Sequence, residues 1–400
     1  MAEPSGPLRG LRVIDAATLA AGPEVATALG EFGAEVIKVE QPGIGDPLRT
    51  WGECKNDIAL VWKSVNRNKR CVTLDLRVPD GQELFHQLLS VSDVLIANNR
   101  PSALERWHLD YESIHRAHPR VVMLHVSGYG RGGPKSDRPG FGTLAEAMSG
   151  FAHLTGQPDG PPTLPPFMLA DGVAAMAATY AVVMALYHRD VHGGEGQLVD
   201  VNLIEPLARL IESSTLAYDQ LGIVPGRVGN RLDASAPRNA YKTRDEHWLA
   251  ISGASPNIAA RVFRAIDRPE LAKDPDYMET DSRKARALEI DQLVADWVAK
   301  KTLDEAMGAF EAGDVAAAPV YDASQLMHDP HLVARGTFVD VDDPEFGRVK
   351  VQAPVAVLSE TPGRVEFLGR SLGADNEAVF GDLLGVDAAR LATLRAAGTI

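Results

Sequence analysis

The sequence predicts an α/β protein with an open, Rossmann-like large domain and a smaller α/β domain. Three observations support this fold class. The chain opens as strand–helix–strand, short apolar strands then alternate with helices to about residue 200, and the sequence texture changes beyond Gln220. A length of 400 residues is enough for more than one domain.

The opening strand–helix–strand unit is the clearest sign of a parallel sheet. Leu11–Asp15 reads as a buried strand, Ala20–Phe32 as a helix with a proline in its first turn, and Ala34–Glu40 as a second strand. No Gly-x-Gly-x-x-Gly follows the first strand, so we do not expect a nicotinamide dinucleotide cofactor.

Three further strands are predicted at Cys71–Leu76, Asp93–Ala97 and Arg120–Ser127, with a helix at 80–89. Ligands of open α/β sheets gather at the carboxyl ends of the strands. Polar residues that follow such ends are Gln41, Arg77, Asn98, Asn99, Arg100 and Arg106. Lys69 and Arg70 precede a strand and are less well placed. The turn Gly128–Gly133 lacks the Gly-Lys-Ser/Thr of a phosphate-binding loop.

Asp171 stands before the Ala-rich stretch Val173–His188, which predicts a helix that is apolar on all sides and fully buried. Two interpretations of this carboxylate remain open at this point. It is an N-cap, the commoner role for an Asp before a helix, a nucleophile that the helix N-terminus keeps ionised, or both. Gly172 would let a bulky acyl group approach. A strand, Gln197–Val201, follows the helix.

Beyond a Gly-, Arg- and Pro-rich stretch at 222–237, residues 239–324 predict a second domain. It has a strand at Trp248–Ile251 and helices near 258–266, 284–300 and 303–312. We place the boundaries at 1–220 for the first part of the large domain, 221–327 for the small domain and 328–400 for the C-terminal segment that returns to the large domain. The sequence of this C-terminal segment predicts a hairpin over 338–357 and a helix over 387–397. His328 and His331 predict a surface turn rather than a metal site, because Pro330 breaks their spacing.

Composition narrows the function classes. The net charge of −14 argues against nucleic acid and anionic membranes as partners. Cys54 and Cys71 form no disulfide framework or metal spacing, which predicts reduced thiols in a cytoplasmic protein. Residues 1–10 do not resemble a signal peptide, and the apolar run at 173–187 is shorter than a membrane span.

Several short motifs, in this order along one chain, carry a family resemblance. They are Leu8–Asp15 with Ala21-Gly22-Pro23, Gly33–Glu40, Asn66-x-Asn68-Lys69-Arg70, Leu74–Leu76, Pro119–Val121, Ser127–Gly130, Asp171-Gly172, Gly194-x-Gly196-Gln197-x-Val199-Asp200-Val201, Ala318–Val320 and Asp329-Pro330. From Leu8 to Ile400 the chain resembles the family III CoA-transferases of the CaiB/BaiF and formyl-CoA transferase type.

This resemblance implies a mechanism. The family's Asp, matched by Asp171, attacks a donor thioester and carries first an acyl group and then CoA, so that CoA passes to an acceptor carboxylic acid. No His partner is needed, and backbone N–H groups near Gly172 would stabilise the oxyanions. Coenzyme A is substrate and product, with no permanently bound cofactor and no metal. The resemblance also implies an interlocked homodimer.

By the same resemblance, CoA lies along the strand ends of the large domain. The matching positions are Ala20, Ala21, Gln41, Leu74, Asp75, Leu76, Arg77, Asn98, Asn99, Arg100, Arg106, Pro139, Gly140, Phe141 and Gly142. Arg77 and Arg106 are the expected phosphate partners, because guanidinium groups pair well with phosphate oxygens.

The chain departs from the family pattern at several positions. Ala20 replaces the Gln that formyl-CoA transferases place near the thioester, and the Gly-rich loop that covers their site is absent around Asn239, so oxalate–formate exchange is not expected. Gly142 stands where many relatives have Asp. Residues 374–375 are Ala-Asp where Glu-His is common.

Two alternative functions are weighed against CoA transfer. The α-methylacyl-CoA racemases share the fold, but they need a His/Asp pair, and Phe141 stands at the position of their His. A CoA-binding homologue without turnover is the other, and the intact Asp171-Gly172 speaks against it. The acyl donor and acceptor stay open. Phe167, Met168 and Leu169 favour a medium or aromatic acid unless they are core residues, and succinyl-CoA is a common donor in relatives.

Overall fold

The computed structural model describes residues 6–232, 235–253 and 255–400. Its strands are β1 Arg12–Asp15, β2 Glu35–Glu40, β3 Cys54–Lys55, β4 Ile58–Ala59, β5 Lys69–Thr73, β6 Val94–Ala97, β7 Val122–Ser127, β8 Leu198–Asn202, β9 Arg238–Lys242, β10 Trp248–Ser252, β11 Ala317–Pro319, β12 Phe338–Asp343 and β13 Gly347–Gln352.

The helices lie between these strands and after them. They are α1 Ala21–Glu31, α2 Leu60–Val65, α3 Pro79–Ser90, α4 Pro101–Arg106, α5 Tyr111–Ala117, α6 Gly142–Met148, α7 Phe151–Leu154, α8 Leu169–Val191, α9 Glu205–Leu210, α10 Glu212–Leu221, α11 Pro256–Ala265, α12 Pro275–Met278, α13 Thr280–Ala285, α14 Ala287–Val298, α15 Leu303–Ala312, α16 Ala323–His328, α17 Pro330–Ala334 and α18 Ala388–Ala396. Single 3₁₀ turns occupy Pro47–Thr50 and Leu271–Lys273, and a π-helix occupies Glu377–Leu383.

The chain divides into two compact units. The first comprises the residues up to Phe151, Pro165–Ser213 and His331–Ile400, and the second comprises Ala152–Leu164 and Ser214–Pro330. The predicted boundaries 1–220, 221–327 and 328–400 stay a prediction. The assignment of 152–164 to the second unit has no counterpart in the sequence pattern.

The first unit is built on a six-stranded sheet in the order β5-β2-β1-β6-β7-β8. All five strand pairs are parallel. The order reverses at β1, which pairs with both β2 and β6, and this is the switch point at which doubly wound sheets bind ligands. The predicted α/β class with a Rossmann-like sheet is confirmed.

Two apolar layers cover the sheet. On one face, α1 and α8 contribute Val25, Leu29, Ala174 and Val182, all buried. On the other face, α3, the π-helix and α18 pack their apolar side chains. The small residues of α1 and α8 let these two helices approach closely, which explains why both segments are rich in Ala.

Helix α8 differs from its prediction in two respects. It begins at Leu169 instead of Val173, so Asp171 is its third residue and Met168 is the N-cap residue, without a side-chain hydrogen bond. The first turn closes because Gly172 N–H donates to Met168 O at 3.0 Å. The predicted burial on all sides is also wrong, because one stripe of the helix is exposed: Met176, Tyr180, Met184, Tyr187 and Val191. By length and composition alone this helix could cross a membrane, yet its Ala-rich face packs on the sheet.

The edge strand β5 begins two residues before its prediction and ends three residues earlier. Lys69, predicted to lie outside the strand, is its first residue and is fully buried. The C-terminal part of the chain covers this edge. Cys71 N–H donates to Asp375 Oδ2 and Thr73 N–H to Asn376 Oδ1, both at 2.8 Å. The side chain of Asp375 therefore supplies a hydrogen-bond acceptor to the edge strand of the sheet.

The second unit has its own three-stranded antiparallel sheet, β11-β10-β9. Its core contains Leu249, Phe263, Val294 and Phe310, which come from one strand and three helices. The predicted strand at 248–251 and the helices near 258–266 and 303–312 are confirmed, and the one predicted over 284–300 is divided into α13 and α14. The predicted hairpin is β12–β13, in the first unit.

Candidate active site

The loop after β1 presents the N-terminus of α1 at the switch point of the sheet. Thr18 N–H donates to Asn98 Oδ1 at 2.9 Å, and Asn98 Nδ2 donates to Thr18 O at 2.7 Å. Leu19 has a left-handed backbone with φ of 65°, and its N–H donates to Asp46 Oδ1 at 3.1 Å. This conformation is unfavourable for a Leu. The hydrogen bonds to the side chains of Asn98 and Asp46 stabilise the loop in it.

A buried network of alternating charges supports this loop. Lys38 Nζ lies 2.9 Å from Asp46 and 3.7 Å from Asp15, and Lys69 Nζ lies 2.9 Å from the same Asp15 carboxylate. All four side chains are fully buried. Burial lowers the pKa of Lys69, whereas the surrounding carboxylates outweigh burial and raise the pKa of Lys38.

Asp171 lies against the N-terminus of α1 while belonging to the first turn of α8. The backbone N–H groups of Ala21 and of Asp171 itself lie close enough to its carboxylate to lower its pKa. Burial raises the pKa of Asp171, the nearby Glu146 raises it further, and these two N–H groups oppose the shift. A half-buried carboxylate at two helix N-termini is poorly hydrated but still stabilised as an anion, which suits a nucleophile.

Glycines bring the segment 139–142 up to Asp171. A methyl group built on Gly142 would stand 2.5 Å from Asp171 Oδ2, and one built on Gly128 would stand 2.5 Å from the Cα of Gly140. Any side chain at these positions would collide with the carboxylate or the backbone. Gly142 thus leaves the space that Asp171 occupies.

Three cavities form a row along the carboxyl edge of the sheet. The first, of about 280 Å³, lies between the ends of β2 and β5; the second, of about 310 Å³, lies beside the N-terminus of α1; the third, of about 630 Å³, lies beyond Asp171. Thr18 lines the first two, and Ala20, Phe141 and Asp171 line the last two. The three cavities are therefore neighbours, and the carboxylate lines both the second and the third.

The structure brings most of the sequence-predicted site residues into this row. The first cavity contains Gln41, Leu74, Asp75, Leu76, Arg77 and Asn99; the second contains Ala20, Ala21, Asn98, Arg100, Pro139, Gly140 and Phe141; the third adds Gly142.

The two arginines expected to hold phosphate are placed differently. Arg106 is exposed at the end of α4 and lines none of the three cavities. Arg77 lines the first cavity, but its Nε and Nη2 both donate to Asp75 at 2.8 Å. Arg100 and Arg138 line the second cavity and pair with no carboxylate in the described part of the chain.

Sequence reasoning missed several lining residues. Leu19, Asp46, Trp51, Glu146 and Arg138 lie in the row of cavities without having been singled out. Arg138 directly precedes the matched segment 139–142 and could have been included on that ground. The others belong to no motif, because only the fold brings them to the site.

Among the N–H groups near Gly172 that were expected to stabilise the oxyanions, that of Gly172 itself closes the first turn of α8. Gly142 and Thr143, in the first turn of α6, line the third cavity, and their N–H groups have no backbone partner within the described residues. These two groups are further candidates. His, Cys, Asp and Glu side chains of the described residues form no cluster of three that could hold a metal ion.

Comparison with known proteins gives one family across nearly the whole chain. The model of CoA-transferase family III matches residues 8–376. A succinyl-CoA–D-citramalate CoA-transferase of Chloroflexus aurantiacus is 39% identical over 394 residues, which cover 98% of each chain. The beta subunit of a succinyl-CoA–L-malate CoA-transferase of the same organism is 40% identical over 95% of each chain.

The fold has a solved counterpart as well. The crystal structure of a CaiB/BaiF family protein from Brucella suis superposes with a TM-score of 0.84 at 28% identity, covering 95% of this chain and 100% of that one.

Proposed function

The chain belongs to CoA-transferase family III and is a CoA-transferase, and we propose that it works through covalent intermediates on Asp171. The observation that carries the proposal is the position of this carboxylate. It lines both the second and the third cavity, beside the N–H of Ala21 at the start of α1.

The proposed cycle needs no general base. The Asp171 carboxylate attacks the donor thioester carbonyl, the C–S bond breaks, and CoA leaves as a thiolate, giving a mixed anhydride. The thiolate attacks the aspartyl carbonyl and expels the donor acid, giving an aspartyl–CoA thioester. The acceptor carboxylate then displaces CoA in the same way, and the returning thiolate takes the acceptor acyl group and releases the Asp171 carboxylate. We assign the stabilisation of the tetrahedral oxyanions to the N–H groups of Gly142 and Thr143, two residues that line the third cavity.

The three cavities suggest how the substrate lies. We assign the nucleotide end of CoA to the first cavity, the pantetheine and thioester to the second and the acyl group to the third. Arg77 and the ring of Trp107 line the first cavity, and Arg100 and Arg138 supply positive charge in the second. The whole set of positions that the sequence predicts for CoA binding, including Arg106, stays a prediction.

The named relatives favour succinyl-CoA as donor and a short dicarboxylic acid as acceptor. One observation favours a second acceptor class. The third cavity is lined by Trp51, Phe141, Phe167 and Met168, and its described lining residues include no Lys, Arg or His. An acid with an apolar or aromatic body suits this lining, whereas a second carboxylate would lack a cation.

Racemisation is the weaker candidate. It needs a second proton carrier opposite Asp171, and Phe141 stands in the shared wall of the second and third cavities. A 2-methylacyl-CoA incubated with the enzyme in heavy water distinguishes the two activities, since rapid α-deuterium uptake would favour the racemase.

The decisive experiment combines a donor–acceptor matrix with trapping of the nucleophile. Succinyl-CoA and other acyl-CoA donors are paired with D-citramalate, L-malate, glutarate and aromatic acids, and the CoA products are identified by mass spectrometry. Hydroxylamine added during turnover should mark Asp171 as a hydroxamate, and Asp171→Ala should form neither hydroxamate nor product. Turnover by the Ala variant would refute the covalent role of Asp171.

We further propose a cytoplasmic homodimer with CoA as a passing substrate and no resident cofactor. The exposed apolar stripe of α8 supports a partner chain, since exposed patches of this kind mark interaction surfaces. The negative net charge supports the exclusion of nucleic acid and anionic membranes.

A further inference from the structure

Glu24 is a carboxyl group close to Asp171 for which the proposed cycle has no use. It lies on α1, where its backbone N–H donates to Ala20 O at 2.8 Å. A methyl group built on Gly172 would stand 3.8 Å from Glu24 Oε2, so this carboxyl faces the first turn of α8 beside Asp171. Two carboxyl groups thus share one poorly hydrated region.

The two carboxyl groups have unequal surroundings. The backbone N–H groups of Ala21 and of Asp171 itself lower the pKa of Asp171. No hydrogen-bond donor contacts the Glu24 carboxyl in residues 6–232, 235–253 and 255–400. Backbone donors stabilise the anion of Asp171, while nothing equivalent stabilises an anion on Glu24.

Lys69, the cation whose charge lowers the pKa of Glu24, does not pair with it. Lys69 Nζ donates to Asp15 at 2.9 Å, to Pro23 O at 2.7 Å and to Asn66 Oδ1 at 3.0 Å, which uses its three protons. The elements packed against α1 carry the following charged or titratable side chains: Arg12 and Asp15 on β1, Glu35, Lys38 and Glu40 on β2, Lys63 on α2, His125 on β7, and Asp171, Tyr180, Tyr187, His188, Arg189 and Asp190 on α8. Of these groups and Lys69, the two whose charges shift the pKa of Glu24 are Asp171, which raises it, and Lys69, which lowers it.

From this geometry, and resting on the proposed function, we propose that Glu24 is a positioning residue for Asp171. Its carboxyl holds the one proton of the pair, so that Asp171 is the anion, and its ionisation weakens the binding of the acceptor carboxylate. Burial first, and then the charge of Asp171, raise the pKa of Glu24 to about 7, with Lys69 opposing.

The sign of the pH effect follows from the charges in the cycle. In the free enzyme Glu24 is neutral below about pH 7, where it lies beside the anionic Asp171. The acceptor acid meets the aspartyl–CoA thioester, in which Asp171 carries no charge, so the pKa of Glu24 in that form is lower and is raised by burial alone. Once Glu24 ionises in the thioester form, its negative charge faces the incoming acceptor anion. A like charge at this range raises the KM for the acid by roughly tenfold, whereas the rate of the bound complex changes less.

The test is steady-state kinetics of the wild type and of Glu24→Gln between about pH 5 and pH 9, with the acceptor acid varied. In the wild type, we expect the KM for the acceptor to rise with pH, with a midpoint below about pH 7, because the Asp171 charge is absent from the thioester form. In Glu24→Gln, which is permanently neutral, KM should stay at the low-pH value, and at about pH 5 both proteins should turn over within about twofold of each other. Glu83→Gln, on the exposed face of α3, makes the same charge change and should keep the wild-type profile.

Two outcomes overturn the inference: a rise of KM in Glu24→Gln equal to that of the wild type, or equal loss of kcat at every pH in a folded variant. Infrared difference spectra provide a second test that does not depend on Glu24→Gln. The protonated-carboxyl band should be lost at lower pH in Asp171→Asn than in the wild type, since the charge that raises the pKa of Glu24 is gone. An unshifted band also overturns it. Hydroxylamine labelling of Asp171 at about pH 6 tests the proposed function separately, because it does not need Glu24 to be neutral.

Discussion

Gly142 is the residue that most directly limits the position of the nucleophile. We expect Gly142→Ala to displace the Asp171 carboxylate, because the added methyl group would stand 2.5 Å from Oδ2. Moving a reacting atom by about 1 Å lowers kcat by roughly 100-fold, while CoA still binds.

The measurement is kcat together with CoA affinity by calorimetry. Gly133→Ala is the matched control, since nothing lies within 4 Å of its added methyl group. Wild-type kcat in Gly142→Ala would show that the carboxylate has other room, and equal loss in both variants would show that the effect is not specific.

At the residue scale, sequence reasoning found Asp171 but not its surroundings. The motif Asp171-Gly172 is local and can be recognised in the sequence, and the same is true of Gly140 and Gly142. The partners of Asp171 cannot, because Ala21 and Glu146 reach it only through the packing of α1 and α6 on α8. The N-cap interpretation was wrong because Leu169 and Ala170 extend the helix past the Asp, and Gly172 is tolerated in its first turn.

Among the elements, β5 depends on a segment far away in sequence. Asn376 accepts Thr73 N–H and donates to Thr73 Oγ1, both at 2.8 Å. We expect Asn376→Ala to lower the free energy of unfolding by about 1–3 kcal/mol, because it leaves a buried backbone N–H without an acceptor.

Urea unfolding followed by circular dichroism measures this effect. Gln87→Ala on the exposed side of α3 should stay within about 0.5 kcal/mol of the wild type. A similar small change in Asn376→Ala would mean that water replaces the lost acceptor.

The elements themselves were well predicted where their periodicity is strong. Strands β1, β2, β6 and β7 and the helix α18 follow from short apolar runs and from the Asp387 cap. The ends of β5 were misplaced because a buried Lys69 looks like a loop residue in sequence. Its ion pair with Asp15, which makes the burial possible, is a contact across 54 positions.

At the scale of the whole molecule, the exposed stripe of α8 should decide the oligomeric state. We expect light scattering to give twice the chain mass of 42.9 kDa, because an apolar surface of this extent is stabilised by burial against a second copy. Met184→Glu, at a position that is 64% exposed in the single chain, should lower the mass or abolish soluble protein.

Val333→Glu places the same charge at another exposed apolar position, 60% exposed, and should leave the mass unchanged. A wild-type mass of one chain would refute the homodimer. The stripe itself was hidden from sequence reasoning, because a helix that is apolar on all sides looks the same whether the core or a second chain covers it.

The last residues of the sequence have a practical consequence. Thr399 O accepts Asp75 N–H at 2.8 Å, and Asp75 lines the first cavity. Ile400 is buried beside the sheet. A purification tag or fluorescent protein attached after Ile400 would therefore be tethered next to the entrance that we assign to the adenosine of CoA, so labels for binding assays belong elsewhere on the chain.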